Sequence, residues 1–425
     1  MINFLSSLVL LLAVFGLTVF ERRHLNNLFT PFTVTAWPFA IISILVNTVV
    51  VKMDFLPVSA RANFFILLNL LIIWLVGFLL SHTYKPEIKT TNFVDQFKKY
   101  KDFRSFLLML SWIVIVVVGY RVFSILAKEG WQFIGDDRFE RMMIVGLPAH
   151  FALLGKVLLI FLILILWKSK KSLLDYLTMA FLTVSIMSLM VKYHIVWVVL
   201  IVFFVVNMGL TPKLQLRKVG FIVSMVMAIF IANYLILFLS WQTLSFFDAR
   251  LWKFILGWMV NYLMTGPIML EHWMNMSFTK PWWALFIVPI NFKNVILGDP
   301  ERLSTVKYVS PGFIPVSPDF DSNVGTSFGV YYLIGGFAFT ILLTIIIALI
   351  SYILYFRGFK SNNPVTTFFA AFFLMLGTLS FFVQYFTLLS LYELPVVYMI
   401  ILGILHLLYK IKTANSGKGV PISGH

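Results

Sequence analysis

The chain has no cysteine in 425 residues, which excludes a disulfide, a thiolate metal site and a thiol nucleophile together. Charge is scarce as well. Asp, Glu, Lys and Arg make up 12% of the residues, about half the share of a typical soluble domain. The acidic sign is the rarer one, with 17 Asp and Glu against 33 Lys and Arg and a formal net charge of +16. In a membrane protein the placement of such charge says more than its sum. The short alternating segments of a membrane β-barrel are missing too. No stretch reads as a soluble domain, an internal repeat or a low-complexity tract, and nothing points to nucleic acid.

Apolar residues are what the chain has in excess, at 60% with a mean hydropathy of +0.95. Eleven apolar runs recur, at about 2–20, 32–51, 63–81, 105–127, 151–167, 173–191, 193–210, 219–240, 327–355, 363–388 and 393–410. Each approaches or exceeds the roughly 20 residues that cross a hydrocarbon core as a helix. The expectation is an all-α integral membrane protein: one polytopic domain over 1–425, with about eleven transmembrane helices and a range of ten to twelve. Two joints are weak, since Lys192 barely separates the sixth and seventh runs and "SLYELP" the tenth and eleventh. The first run, Met1 to Phe20, lacks a basic leader and a small-residue cleavage site, so it reads as a retained helix.

Basic residues set the orientation. The segments "ERRHLNN", "KPEIKTTNFVDQFKKYKDFR", "WKSKKS", "TPKLQLRK", "RGFKSNN" and "KIKTANSGKG" hold 19 of the 33 Lys and Arg, and all six fall on one side of an eleven-span chain. By the positive-inside rule that side is cytoplasmic, with the N-terminus outside and the C-terminus inside. Two substantial outer segments result: residues 128–150 and a long, partly helical one at 241–326. A connection of that length commonly carries function of its own. Within it "FFDARLWKFILGWMVNYLM" and "GPIMLEHWMN" read as helices, with a break expected at Gly266-Pro267.

The outer segments hold cations that the insertion bias disfavours. Lys128, Arg138 and Arg141 lie in the first; Arg250, Lys253, Lys280, Lys293, Arg302 and Lys307 lie in the second; Arg121, Lys156 and Lys192 sit near outer helix ends. One reading is a cationic pocket for an anionic lipid-linked group such as a pyrophosphate, formed by Arg121, Arg138, Arg141, Lys156, Lys192, Arg250 and Arg302. The other is snorkelling and ion pairing with Glu129, Asp136, Asp137, Glu140 or Asp248. Adjacent Asp136 and Asp137 invite a divalent cation, but Arg138 and Arg141 interleave with them and favour salt bridges, so no metal site is expected.

His272, the only histidine in 241–326, stands beside Glu271 and Trp273. Its imidazole can take a proton from a sugar hydroxyl near neutral pH, and Glu271 can do the same or orient it. His150 is the rival. Six of the twelve tryptophans fall within 241–283, suited either to sugar rings or to an interfacial belt.

"NVGTSFGVYYLIGG", residues 323–336, resembles the Asn-Val-x-Thr-x-Phe-x-x-Tyr-Tyr signature of bacterial oligosaccharide repeat-unit polymerases of the Wzy type, relatives of the O-antigen ligases. Asn323, Val324, Thr326, Phe328, Tyr331, Tyr332 and Gly336 match, whereas Ile334-Gly335-Gly336 stands where family members carry Asp-Phe-Gly. "VNYLMTGPIMLEHWM" is similar to the family's looser Tyr-Leu-x-x-Gly segment. The likeness is specific over about 100 residues and architectural elsewhere. It implies a GT-C-like, multi-pass glycosyltransferase of the bacterial cytoplasmic (inner) membrane. Such an enzyme joins undecaprenyl-pyrophosphate-linked repeat units of O-antigen, capsule or exopolysaccharide on the outer face. It uses no cofactor, metal or nucleotide sugar, and works beside a chain-length regulator and a flippase. The alternatives are a ligase of the same superfamily and, from another class, a lipid-linked oligosaccharide flippase. Read physically, Asn323 and Thr326 offer caps to a helix start, Gly325 and Gly329 permit close approach, and Tyr331 and Tyr332 bring hydroxyls to interfacial depth.

Overall fold

The computed structural model describes residues 1–84, 92–143, 146–189, 193–241, 248–276, 281–298, 303, 312–361, 363–382 and 386–415. Its helices are α1 Ile2–Leu25, α2 Pro31–Thr48, α3 Ala60–Tyr84, α4 Arg104–Glu129, α5 Asp137–Met143, α6 Leu147–Ile165 and α7 Leu173–Met187. They continue as α8 Tyr193–Asn207, α9 Pro212–Trp241, α10 Ala249–Asn275, α11 Ile287–Ile296, α12 Ser327–Ser361, α13 Pro364–Thr378 and α14 Leu389–Asn415. Strand structure among the described residues is one antiparallel pair, β1 Ile314–Pro315 with β2 Asp321–Ser322. Among the described residues, eight helices are long and apolar enough to cross a membrane: α1, α2, α3, α4, α6, α9, α12 and α14. The chain is therefore an all-α, multi-pass membrane protein.

Every expected apolar run coincides with a helix, but three of those helices, α7, α8 and α13, have only 15 residues. The run expected to reach 388 stops at Thr378 because the chain turns there, and the Ser380 carbonyl accepts the N–H of Ser327 at 2.8 Å. Local chemistry sets several starts. Thr30 and Thr33 form a reciprocal capping box on α2, with Pro31 in its first turn. Ser172 and Asp175 do the same for α7, and Arg104 binds Asp175 at 2.6 Å.

Long-range contacts sort the loops to two ends of the bundle. At one end Asn27 donates to the Met208 carbonyl (2.7 Å), His24 meets Ser81 (2.7 Å), Gln96 donates to Thr367 (2.8 Å) and Lys412 pairs with Asp102 (2.7 Å). Basic segments thus gather there. At the other, Asn3 accepts the N–H of Ala60 (3.1 Å), the Leu56 N–H meets the Val316 carbonyl (2.8 Å), Arg61 binds Asn275 (2.7 Å) and His150 pairs with Glu393 (2.8 Å).

Lipid offers no hydrogen bonds, so buried polar groups must satisfy one another. Glu21 accepts from Thr30 (2.7 Å) and from Tyr352 (2.6 Å), and the Tyr352 oxygen accepts the N–H of Phe32 at 3.2 Å. Gly77 makes room for this, because a Cβ there would fall well inside contact distance of the Tyr352 ring and hydroxyl. Gly77→Ala is therefore expected to cost about 1–3 kcal/mol through overpacking. Thermal unfolding in detergent checks this, and an unchanged midpoint would refute it.

Candidate functional site

The site is built where α10 lies along residues 320–329. Asp248 opens α10 by accepting the N–H of Arg250 at 2.8 Å. Further along, Asn261 donates to the Asp321 carbonyl (3.0 Å) and Thr265 meets Ser322 (2.7 Å). Gly257 packs on the Phe320 ring, and Gly266 on the Phe381 carbonyl. Trp273, buried at 2% exposure, covers both Gly325 and Gly329. A Cβ at Gly325 would enter the indole ring, so the close approach anticipated for these glycines is made by α10 itself. The two quoted motifs are thereby one packed unit.

The expected break at Gly266-Pro267 does not occur, and α10 runs unbroken from Ala249 to Asn275 with Pro267 inside it. Proline removes one helical donor and crowds the preceding turn. Contacts on both sides of Pro267, Thr265 with Ser322 before it and Trp273 with Gly325 after it, hold the helix in place regardless. The interruption falls instead inside α12, at Gly336, whose φ of 77° and ψ of −167° are non-helical. That backbone position suits glycine, which has no Cβ to clash. The signature residues therefore form a short helix of their own, and the long apolar helix follows the break. Thr326 starts it, its hydroxyl accepting the N–H of Gly329 at 2.9 Å and its carbonyl that of Val330 at 3.0 Å. Asn323 takes no part in the cap and stands exposed. Tyr331 is buried, and with Ser327, Thr35, Thr344 and Ser380 it lines a cavity of about 70 Å³. Tyr332 is half-buried, edge-on to Phe65 at 5.5 Å.

His272 follows Trp258, Asn261 and Thr265 at helical spacings that place all four on one stripe of α10. Glu271 points about 100° away. Both are half-buried, and neither makes a hydrogen bond or ion pair with a described residue. Three buried polar atoms on α10, Trp258 Nε1, Asn261 Oδ1 and Trp273 Nε1, have no hydrogen-bond partner among the described residues. Buried polar groups are ordinarily paired. Here two donors and an acceptor are closed off from solvent and unpaired among the described residues.

The cations divide into several groups. Arg121 reaches the Met142 carbonyl at 3.3 Å, which sets it beside the α5 segment carrying Arg138 and Arg141; its buried Nε is unpartnered. Arg138 is held by Asp136 at 2.7 Å and lies 5.1 Å from the Phe133 ring centroid, and Arg250 is held by Asp248 at 2.7 Å. Hydrogen bonds from the arginine side chain and backbone keep each of these aspartates below the usual carboxylate range. These two pairs are the local ion pairing weighed against the pocket. Lys156 is fully buried, 2.6 Å from His194 Nδ1 and 5.6 Å from the Trp197 ring centroid. His194 was not among the candidates, although a histidine inside an apolar run is a signal in itself. Lys192 and Arg302 lie outside the described residues. His150 is tied to Glu393 between α6 and α14. No ion pair among the described residues joins these cations to Glu271.

Among known families, the one described as "Family of unknown function (DUF6337)" matches residues 39–415. No curated protein and no solved structure matches the chain.

Proposed function

The chain belongs to this DUF6337 family, and we propose that it is a metal-independent membrane glycosyltransferase that polymerises undecaprenyl-pyrophosphate-linked oligosaccharide repeat units on the outer face of the bacterial cytoplasmic membrane. The observation that carries the reading is the polar stripe of α10, where His272 stands in line with Trp258, Asn261 and Thr265 beside the short signature helix. The half-buried Trp258 indole fits the apolar face of a sugar ring, and the half-buried His272 fits a sugar hydroxyl.

In this mechanism a hydroxyl of one repeat unit attacks the anomeric carbon of the growing chain. The new C–O bond forms as the bond to the pyrophosphate oxygen breaks, and that oxygen keeps the electron pair. His272 takes the hydroxyl proton, and Glu271 is the alternative acceptor. Cationic side chains, among them Arg121 beside the α5 segment that carries Arg138 and Arg141, stabilise the charge that develops on the departing pyrophosphate. The lipid tail stays in the bilayer throughout.

The test is purified protein in lipid vesicles, incubated with undecaprenyl-pyrophosphate-linked repeat units. A ladder of lengthened glycans is expected. A single transfer of preformed glycan to lipid A or protein would mean a ligase, and no lengthening under varied acceptor conditions would count for a transporter.

A further inference from the structure

The long connection contains a helical stretch whose exposed face has the wrong chemistry for water. It begins as a 3-10 turn, Trp282–Phe286, that packs on α12 and continues as α11. One side is settled against protein: Ala284, Leu285, Ile287 and Val288 are buried, and Asn291 exchanges two hydrogen bonds with Leu303, at 2.8 and 3.0 Å. The other side should then be polar. Instead Trp282, Phe286, Phe292, Val295, Ile296 and Leu297 are each 47–68% exposed. Contiguous apolar surface of this kind marks a contact with something other than water.

We propose that this face rests in the membrane–water interface at the end of the bundle where α10 lies, as an amphipathic helix in the plane of the bilayer. Three observations favour lipid as the occupant. First, α12, on which the stretch packs, is itself a membrane-crossing helix with exposed Phe337, Leu342 and Ile346, so the new surface continues one that already meets lipid. Second, the apolar stretch Trp282–Ile296 is too short to cross, since a span needs roughly 20 residues. Third, Trp282 and Lys293 are both exposed, and these are the residue types that anchor at headgroup depth, the lysine reaching toward phosphate. This inference needs only the membrane-spanning character of the chain, not the transferase activity. If that activity is also right, the helix fixes the connection at the level where a lipid-linked pyrophosphate emerges.

Because the chain has no cysteine, single-cysteine variants need no prior substitutions. Phe292→Cys and Ile296→Cys, spin-labelled in vesicles of phosphatidylethanolamine and phosphatidylglycerol, report collision with oxygen, which concentrates in lipid, and with a water-soluble nickel chelate. Leu342→Cys on α12 is the lipid reference, and Asp319→Cys, on the exposed turn between β1 and β2, is the aqueous one. The oxygen-to-nickel ratio at 292 and 296 is expected to shift away from the Asp319 value to approach that of Leu342, with Lys293→Cys shallower. A ratio like that of Asp319 at both positions overturns the proposal. So does exclusion of both reagents, particularly with spin–spin broadening, because a second copy or another protein would then cover the face. Should either variant fail to fold, Val295→Cys probes the same face.

Discussion

Replacing His272 by alanine is expected to slow chain lengthening by roughly 10²–10⁴-fold, the usual contribution of a positioned general base, while leaving the protein folded in the membrane. The reason to expect a clean result is structural. His272 is half-buried and holds no hydrogen bond with a described residue, so its loss leaves no partner stranded. Glu271→Gln serves as the contrast, because its side chain projects about 100° around the helix. Should Glu271→Gln lose the activity while His272→Ala keeps it, the two roles are exchanged. If neither substitution changes the rate, the α10 stripe is not the reacting site.

The second large effect concerns assembly. Gly325→Ala would place a methyl group inside the ring of Trp273, and the indole is too buried to swing aside. Overpacking of this kind costs about 1–3 kcal/mol and at times more, so both the thermal midpoint in detergent and the activity should drop. The identity of the obstacle can be tested directly. Trp273→Leu shortens the side chain, and if the indole is what Gly325 accommodates, the double variant should cost less than the sum of the two single ones. Strict additivity would show that the glycine is required for another reason. The experiment also asks whether the two motifs work as one body, since each residue comes from a different motif.

How far the sequence could lead depends on whether a feature is local. The helices were legible because an apolar run in lipid must satisfy its own backbone, and only a helix does that within one segment. The cap at Thr326 was legible for a similar reason, as a hydroxyl three residues before the N–H it accepts. Misreadings arose where distant contacts intervened. Pro267 looked like a break, yet α10 is continuous because it is clamped along 320–329 and against Phe381. Residues 379–382 looked like part of a span, yet the chain turns there to meet Ser327. Lys156 was visible as a cation in an apolar run, but its partner, His194, lies on another helix. Arg138 and Arg250, offered either to a cationic pocket or to ion pairs with nearby carboxylates, are each paired with the aspartate two residues before, a contact local enough for the sequence to offer.

Composition and periodicity by themselves determined a cysteine-free helical chain embedded in lipid, with its positive charge sorted by segment, because these follow from transfer energies that each stretch feels alone. Only the tertiary structure decided that Trp273 seats on Gly325 and Gly329, that the signature residues form a separate helix ending at Gly336, and that the 282–297 stretch turns an apolar face outward. Those arrangements depend on which surfaces meet, and no single segment carries the shape of its partner.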